Sequence, residues 1–447
     1  MLVAWHYAIS FTLRRTELSM YSWPPSEEQA MRTIITIASV RVLELILIVS
    51  LGLSSAWAAP KFQVLHAFAG GATDGSNPNS RLTLDRLGNL FGEAFTGGST
   101  GCGGNGCGTA FELSFKNGHW RDSNFYSFSS PTSSLPNPVF AVALDAAGNV
   151  YGTEYSGGDP ACNCGSIFQL TRVGGVWTLN TLHIFTGQPS DDGAYPSSGL
   201  FRDASGNLFG TTFQGGVGNA GTIFELMPGA GGTWVYNVIY QFGSSNNIDG
   251  NSPYGPLTID SAGNIYGTTQ GGGLYFEGAV YKASPSNGTW TDSILYNFTL
   301  DFGQSPEPYG VVLAPNGHLY GVTFFGGEYG VGTLYDLRPA IGVWSRTVLY
   351  TFTGGADGGY PYGGVSLGAS GAFYGTSYDG GSYGYGNVFK FTVANGTAQE
   401  TVLHSFTNGS DGSHPAWSVS VDKLGNLYGT TNNGGVNGLG VVFEVTP

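Results

Sequence analysis

The chain has 447 residues, of which 74 are glycine, 14% are aromatic and only 10% are charged, with a formal net charge of −14. Abundant aromatics and sparse charge exclude an intrinsically disordered chain, and glycines without a three-residue period exclude collagen. The acidic balance excludes nucleic acid and anionic lipid as partners, because both need Lys and Arg to neutralise phosphates.

Residues 1–58 read as a secretory signal region. Met31 and Arg32 open a stretch that includes Arg41, the apolar run Leu45–Leu53 follows, and Ala56 and Ala58 are small residues at the two positions a signal peptidase reads. The apolar run is too short for a comfortable membrane span. Residues 1–30 would make an unusually long n-region, so Met31 is a second candidate start. Cleavage near Ala58 is expected, with a retained signal anchor as the alternative. The product is an exported domain, residues 59–447, that is extracellular, periplasmic or on the cell surface, with no stable membrane insertion. Removing residues 1–58 takes away four Arg and four Glu and leaves the net charge at −14.

From residue 61 onward the sequence repeats itself. The phrase "DAAGNVYGTEYSGG" (145–158) has near-copies at Asp85, Asp203, Asp260 and Asp422. Its turn glycine recurs as Gly88, Gly148, Gly206, Gly263, Gly317, Gly371 and Gly425, at intervals of 54 to 60 residues. A second anchor, Phe68, Phe128, Phe185, Phe242, Phe298, Phe352 and Phe406, gives the same seven units. Each unit holds four short runs rich in Val, Ile, Leu, Tyr, Phe and Thr, separated by Gly-rich turns, which read as strands. Four short antiparallel strands repeated seven times predict an all-β fold, a seven-bladed β-propeller in a single domain. The opening stretch Lys61–Phe68 is a fourth strand without its first three, and Gly440–Pro447 is a third strand without its fourth. The N-terminal strand is therefore expected to complete the last blade and close the ring.

The phrase D-x-x-G-N-L-Y-G-T-T, the following GG, G-T-x-F-x-L, and then L-Y-x-F with D-G-x-x-P resembles the GloVer-type tandem repeat of bacterial exported proteins, over residues 62–447. The resemblance implies export and a propeller-like repeat, and it brings no catalytic residue. A C-terminal sorting anchor, frequent in that family, is not expected here.

Within each unit, the Asp of D-x-x-G-N is read as a turn-capping acceptor and its Gly as the left-handed residue of a three-residue hairpin loop. Ala314 and Gly368 replace that Asp in two units, which favours a structural role. Cys102, Cys107, Cys162 and Cys164 lie in two corresponding loops and are disulfide candidates in an exported protein, over a zinc site that no His would complete. D-G-x-x-P between units reads as an Asx turn before a Pro-fixed strand entry. "SDDG" (190–193) offers two carboxylates, Asp191 and Asp192, as the weak candidates for a structural calcium ion, and no other cofactor is expected.

Two sets of aromatics fall on loops that share one rim. Between units lie Tyr254, Tyr360 and Trp417, and at the ends of second strands lie Tyr155, Phe213, Phe324 and Tyr378. Rings facing the channel mouth would form a stacking platform for a neutral polysaccharide; rings packed between blades would supply core area instead. Glu93 and Glu154 replace the Thr of G-T-T in neighbouring units and are the weak catalytic candidates, as the acid and base of a carbohydrate-active hydrolase or lyase. The reading favoured by the sequence is a monomeric, non-enzymatic binding propeller with a polysaccharide or envelope partner. The alternatives are that hydrolase or lyase, and a structural cell-envelope protein.

Overall fold

The computed structural model describes residues 59–99, 101–129, 138–188, 191–243, 247–286, 288–300, 307–340 and 343–447. The expected signal region at 1–58 lies outside the described residues. Among those residues the strands form seven antiparallel sheets, the blades of a β-propeller. Blade 3 shows the plan. Gly193–Pro196 and Phe201–Arg202 both pair with Leu208–Gly215, which pairs with Thr222–Pro228, which pairs with Trp234–Gln241.

The D-G-x-x-P stretch was expected as a turn before a single first strand, and here its Gly193–Pro196 is itself a piece of strand, separated from Phe201–Arg202. Gly199 sits at the break, where a Cβ would lie 2.8 Å from Ala141 of the preceding blade. The chain leaves the ladder where it passes this neighbour. Blades 2 and 5 keep an unbroken first strand, Pro138–Leu144 and Pro308–Leu313.

Two repeated features hold each blade's interior. The second glycine of D-x-x-G-N-x-[YF]-G-T, or its equivalent, faces an aromatic ring directly across the ladder, as in Gly210 with Phe224 and Gly375 with Phe389. A Cβ on these glycines would lie 2.4 Å and 2.5 Å from the ring. The Phe anchors are fully or almost fully buried, and each donates its N–H to the carbonyl of the Gly before the third strand, for example Phe242 to Gly221 at 3.0 Å. Burying each such ring contributes roughly 1.5–3 kcal/mol.

The turn reading holds in detail. Asp145 Oδ1 accepts the N–H groups of Ala147 and Asn149, both at 2.9 Å, and Oδ2 accepts the Asn149 amide at 2.8 Å. The same set recurs at Asp85, Asp260 and Asp422.

The ring closes as expected. Lys61–Ala67 pairs antiparallel with Val441–Thr446, and Phe68 donates to Gly440 at 3.1 Å. Phe68 then packs with Leu90, Phe111, Tyr428 and Val442, joining the last blade to the first.

The D-G-x-x-P loops are tied to the strand that precedes them. Their Asp also binds the residue two before the preceding Phe anchor, at 3.1 Å for His183–Asp192, 3.1 Å for His404–Asp411, 2.8 Å for Tyr240–Asp249 and 3.0 Å for Tyr350–Asp357. The next blade's outer strand covers the pair. Tyr236 stacks on His183 and Phe62 on His404, each at 3.7 Å between centroids. The cysteines are joined as Cys102–Cys107 and Cys162–Cys164, each bond within its own loop.

Candidate functional site

Rings from five blades meet at the propeller axis. Phe140 and Trp417 lie 5.1 Å apart between centroids, Phe140 and Tyr254 5.8 Å, Tyr254 and Tyr309 5.4 Å, and Tyr309 and Tyr362 4.7 Å. Their polar ends are satisfied inside the layer, as buried Tyr and Trp require. The Tyr254 and Tyr362 hydroxyls are 3.1 Å apart, and Trp417 Nε1 donates to Asn79 Oδ1 at 2.8 Å. Trp417 is only 4% exposed. Of the expected platform residues, Tyr254 and Trp417 therefore form a floor that closes this end of the axis.

Around that floor stand rings that keep an exposed face. Tyr155 pairs with Tyr195 at 5.3 Å, Phe324 with Tyr360 at 5.2 Å, and Tyr378 with His414 at 5.0 Å. Each pair bridges two adjacent blades and is half-buried, as is Phe213. The second member of each pair immediately precedes the loop proline and has a left-handed backbone, with φ of 57° at Tyr195, 55° at Tyr360 and 53° at His414. A residue before proline ordinarily adopts an extended conformation. Here the strain is held by a hydrogen bond to the preceding blade, such as Tyr360 N–H to the Val331 carbonyl at 2.7 Å. Asn77, Ser252 and Glu307 occupy the same strained position in three further loops.

The two carboxylates proposed for acid and base chemistry are not placed alike. Glu93 has no exposed surface, and neither of its oxygens has a hydrogen-bond partner. It lies against blade 2, where a Cβ on Gly152 would be 2.8 Å from Glu93 Oε1. Burial, with the nearby Glu154 charge second, holds the Glu93 carboxyl well above its usual range. Glu154 is half-buried, accepts a hydrogen bond from Ser166 Oγ at 2.6 Å, and is pushed up by burial to about 7.

Both shifts run in one direction. The folded state holds protons that the unfolded state releases above about pH 4.5, so stability falls as pH rises from there through about 7, where Glu154 ionises in the folded state. For Glu154 alone the loss is on the order of 3 kcal/mol. We expect the unfolding midpoint to be higher near about pH 5 than near about pH 8, with the slope reduced in Glu154→Gln. A midpoint rising over that interval would contradict this.

Among the described residues, the expected calcium ligands do not gather a third group. Asp191 is exposed, whereas Asp192 is taken up by His183 and by the Thr186 and Gly193 N–H groups. Among the described residues, the ligand atoms of His66, Asp74 and Asp122 all lie within 4.8 Å of one another and could hold a metal ion.

The family model described as the Gloeobacter/Verrucomicrobia repeat matches residues 103–307 and 258–447. No curated protein matches the sequence. Several solved structures are similar at low identity. A candidate 6-phosphogluconolactonase of Bacteroides uniformis is 18% identical over 74% of this chain and 86% of its own, with a TM-score of 0.47. A puromycin-hydrolysing peptidase of Mycobacterium tuberculosis is 12% identical over 82% of this chain and 53% of its own, with a TM-score of 0.47. An ulvan lyase, a polysaccharide lyase, is 11% identical over 76% of this chain and 86% of its own, with a TM-score of 0.45.

Proposed function

The chain belongs to the Gloeobacter/Verrucomicrobia repeat family, and from that premise we propose that it is an exported, non-catalytic binding propeller whose ligand is a neutral polysaccharide. One observation carries this reading: three half-buried aromatic pairs, each straddling a blade boundary, surround a floor built on the buried rings of Phe140, Tyr309 and Trp417. Flat exposed faces beside hydroxyl and amide groups suit the apolar faces and hydroxyls of uncharged sugars. The charge agrees, since charged residues are only 10% of the chain and the net charge of −14 disfavours an anionic polymer. Tyr155, Phe213, Phe324, Tyr360 and Tyr378 make the contact in this reading, whereas Tyr254 and Trp417 set the height of the floor.

The test is affinity electrophoresis through gels containing starch, xylan, mannan or laminarin. At least one polymer is expected to retard the protein, and Phe324→Ala with Tyr360→Ala is expected to weaken that retardation about tenfold or more. Retardation by none of the four, or equal retardation of the double variant, would refute the proposal.

A further inference from the structure

On the far side of the aromatic floor, the inner strands enclose a channel whose lining differs sharply from one blade to the next. The position four residues before each D-x-x-G turn faces this channel in blades 1 to 4, where it is Arg81, Ala141, Gly199 and Pro256. The equivalents in blades 5 to 7 are Gly310, Gly364 and Ser418. Six blades thus place a small or ring-closed residue here, and blade 1 alone places a guanidinium.

Arg81 lines two cavities. One, of about 140 Å³, lies against the floor rings Phe140 and Trp417 and is walled by Leu200, Phe201 and Leu257. The other, of about 420 Å³, extends along the inner strands of blades 7, 1, 2 and 3 and is also lined by Arg202. No carboxylate lines either one. Arg81 has no hydrogen bond, ion pair or ring contact among the described residues, and burial alone opposes its charge. Arg81 itself is half-buried, and Arg202 Nε at the second cavity is buried without a hydrogen-bond partner. A partly desolvated cation facing a channel with no counter-charge is a ready partner for an anion. The rest of the chain is strongly acidic, yet none of its many carboxylates is spent here.

We infer that the channel at Arg81 is a binding site for a small carboxylate with a flat apolar body. The planar guanidinium matches a carboxylate through two parallel hydrogen bonds. The Phe140, Phe201, Leu257 and Trp417 walls then receive the apolar part, which a hydrated inorganic anion would leave unfilled. The site is separate from the polysaccharide rim, and its failure would leave that reading untouched.

The test uses the exported chain, with benzoate as probe, benzyl alcohol as its uncharged counterpart, and phosphate as a bare anion. Binding is read by calorimetry and by the shift in unfolding midpoint. Benzoate is expected to bind saturably, at least about tenfold tighter than benzyl alcohol or phosphate. Arg81→Met, which keeps the stem but removes the charge, is expected to abolish benzoate binding while folding normally, because six blades manage without the cation. Arg81→Lys, lacking the fork, is expected to weaken binding about tenfold. Absence of benzoate binding, equal binding by Arg81→Met, or tighter binding of phosphate would each overturn the inference. Should Arg81→Met fail to fold, Arg81→Lys and the benzyl alcohol comparison decide it alone.

Discussion

Deletion of residues 61–68 is expected to abolish cooperative unfolding of the propeller. The segment is the outer strand of the last blade, paired with Val441–Thr446 along its length. Its loss would expose the edge of that strand and the packed rings of Phe443 and Phe406, on which Phe62 now rests. It would also remove Phe68, fully buried between the last blade and the first. Truncating one such ring alone costs about 3–5 kcal/mol. Losing the strand with it takes away a sizeable part of a total stability that for most domains is about 5–15 kcal/mol. No other covalent or disulfide link joins the last blade to the first among the described residues, since both disulfides are local. Calorimetry of the truncated chain should show a broad or absent transition. A sharp transition at the parent temperature would mean the ring does not depend on this strand.

The second large effect separates two glycines of one motif. Gly371 occupies the turn with φ of +79°, and a Cβ there would meet nothing within 4 Å. Gly371→Ala should therefore cost only the left-handed penalty, about 1–2 kcal/mol. Gly375 lies four residues on in ordinary strand conformation, but its Cβ would be 2.5 Å from the Phe389 ring. That ring is fully buried and has no free volume to enter. Gly375→Ala should cost about 3 kcal/mol or more through overpacking. Because the clash is with one partner, adding Phe389→Leu should give a double variant less destabilised than the sum of the two single changes. Chemical denaturation of the four proteins decides this. Equal costs for Gly371→Ala and Gly375→Ala would show that the second glycine is not required for ring packing.

The fold was legible because its requirements recur at blade spacing. A hairpin needs a left-handed residue, often with a capping acceptor, and a ring packed across a ladder needs a bare glycine, so the equivalents of Gly148, and of Gly152 with Phe168, reappear in all seven blades and that of Asp145 in five. The break in the first strand was not legible, because it answers to a neighbouring blade rather than to local sequence, as Gly199 against Ala141 shows.

The candidate site was legible as residue types but not as placement. Tyr360 and Tyr362 are two residues apart in one loop, yet one stands on the rim and the other lies in the floor. The sorting signal lies in their position relative to Pro361. Tyr195 and Tyr360 precede a loop proline and face the rim, whereas Tyr254, Tyr309 and Tyr362 follow one and turn to the axis. Nothing in the composition of the loop announces the left-handed backbone that makes this so. Glu93 and Glu154 were visible as departures from G-T-T, but only packing against the neighbouring blade distinguishes a sealed carboxyl from a partly open one.

The central claim is that ligand binds over the ring floor between the aromatic pairs. Hydrogen–deuterium exchange measured with and without the retarding polysaccharide tests it most directly. Slowed exchange is expected in the loops that carry Tyr155, Tyr195, Phe324, Tyr360, Tyr378 and His414, with the outer strands unchanged. Protection confined to the outer strands, or no protection with any of the four polymers, would contradict it.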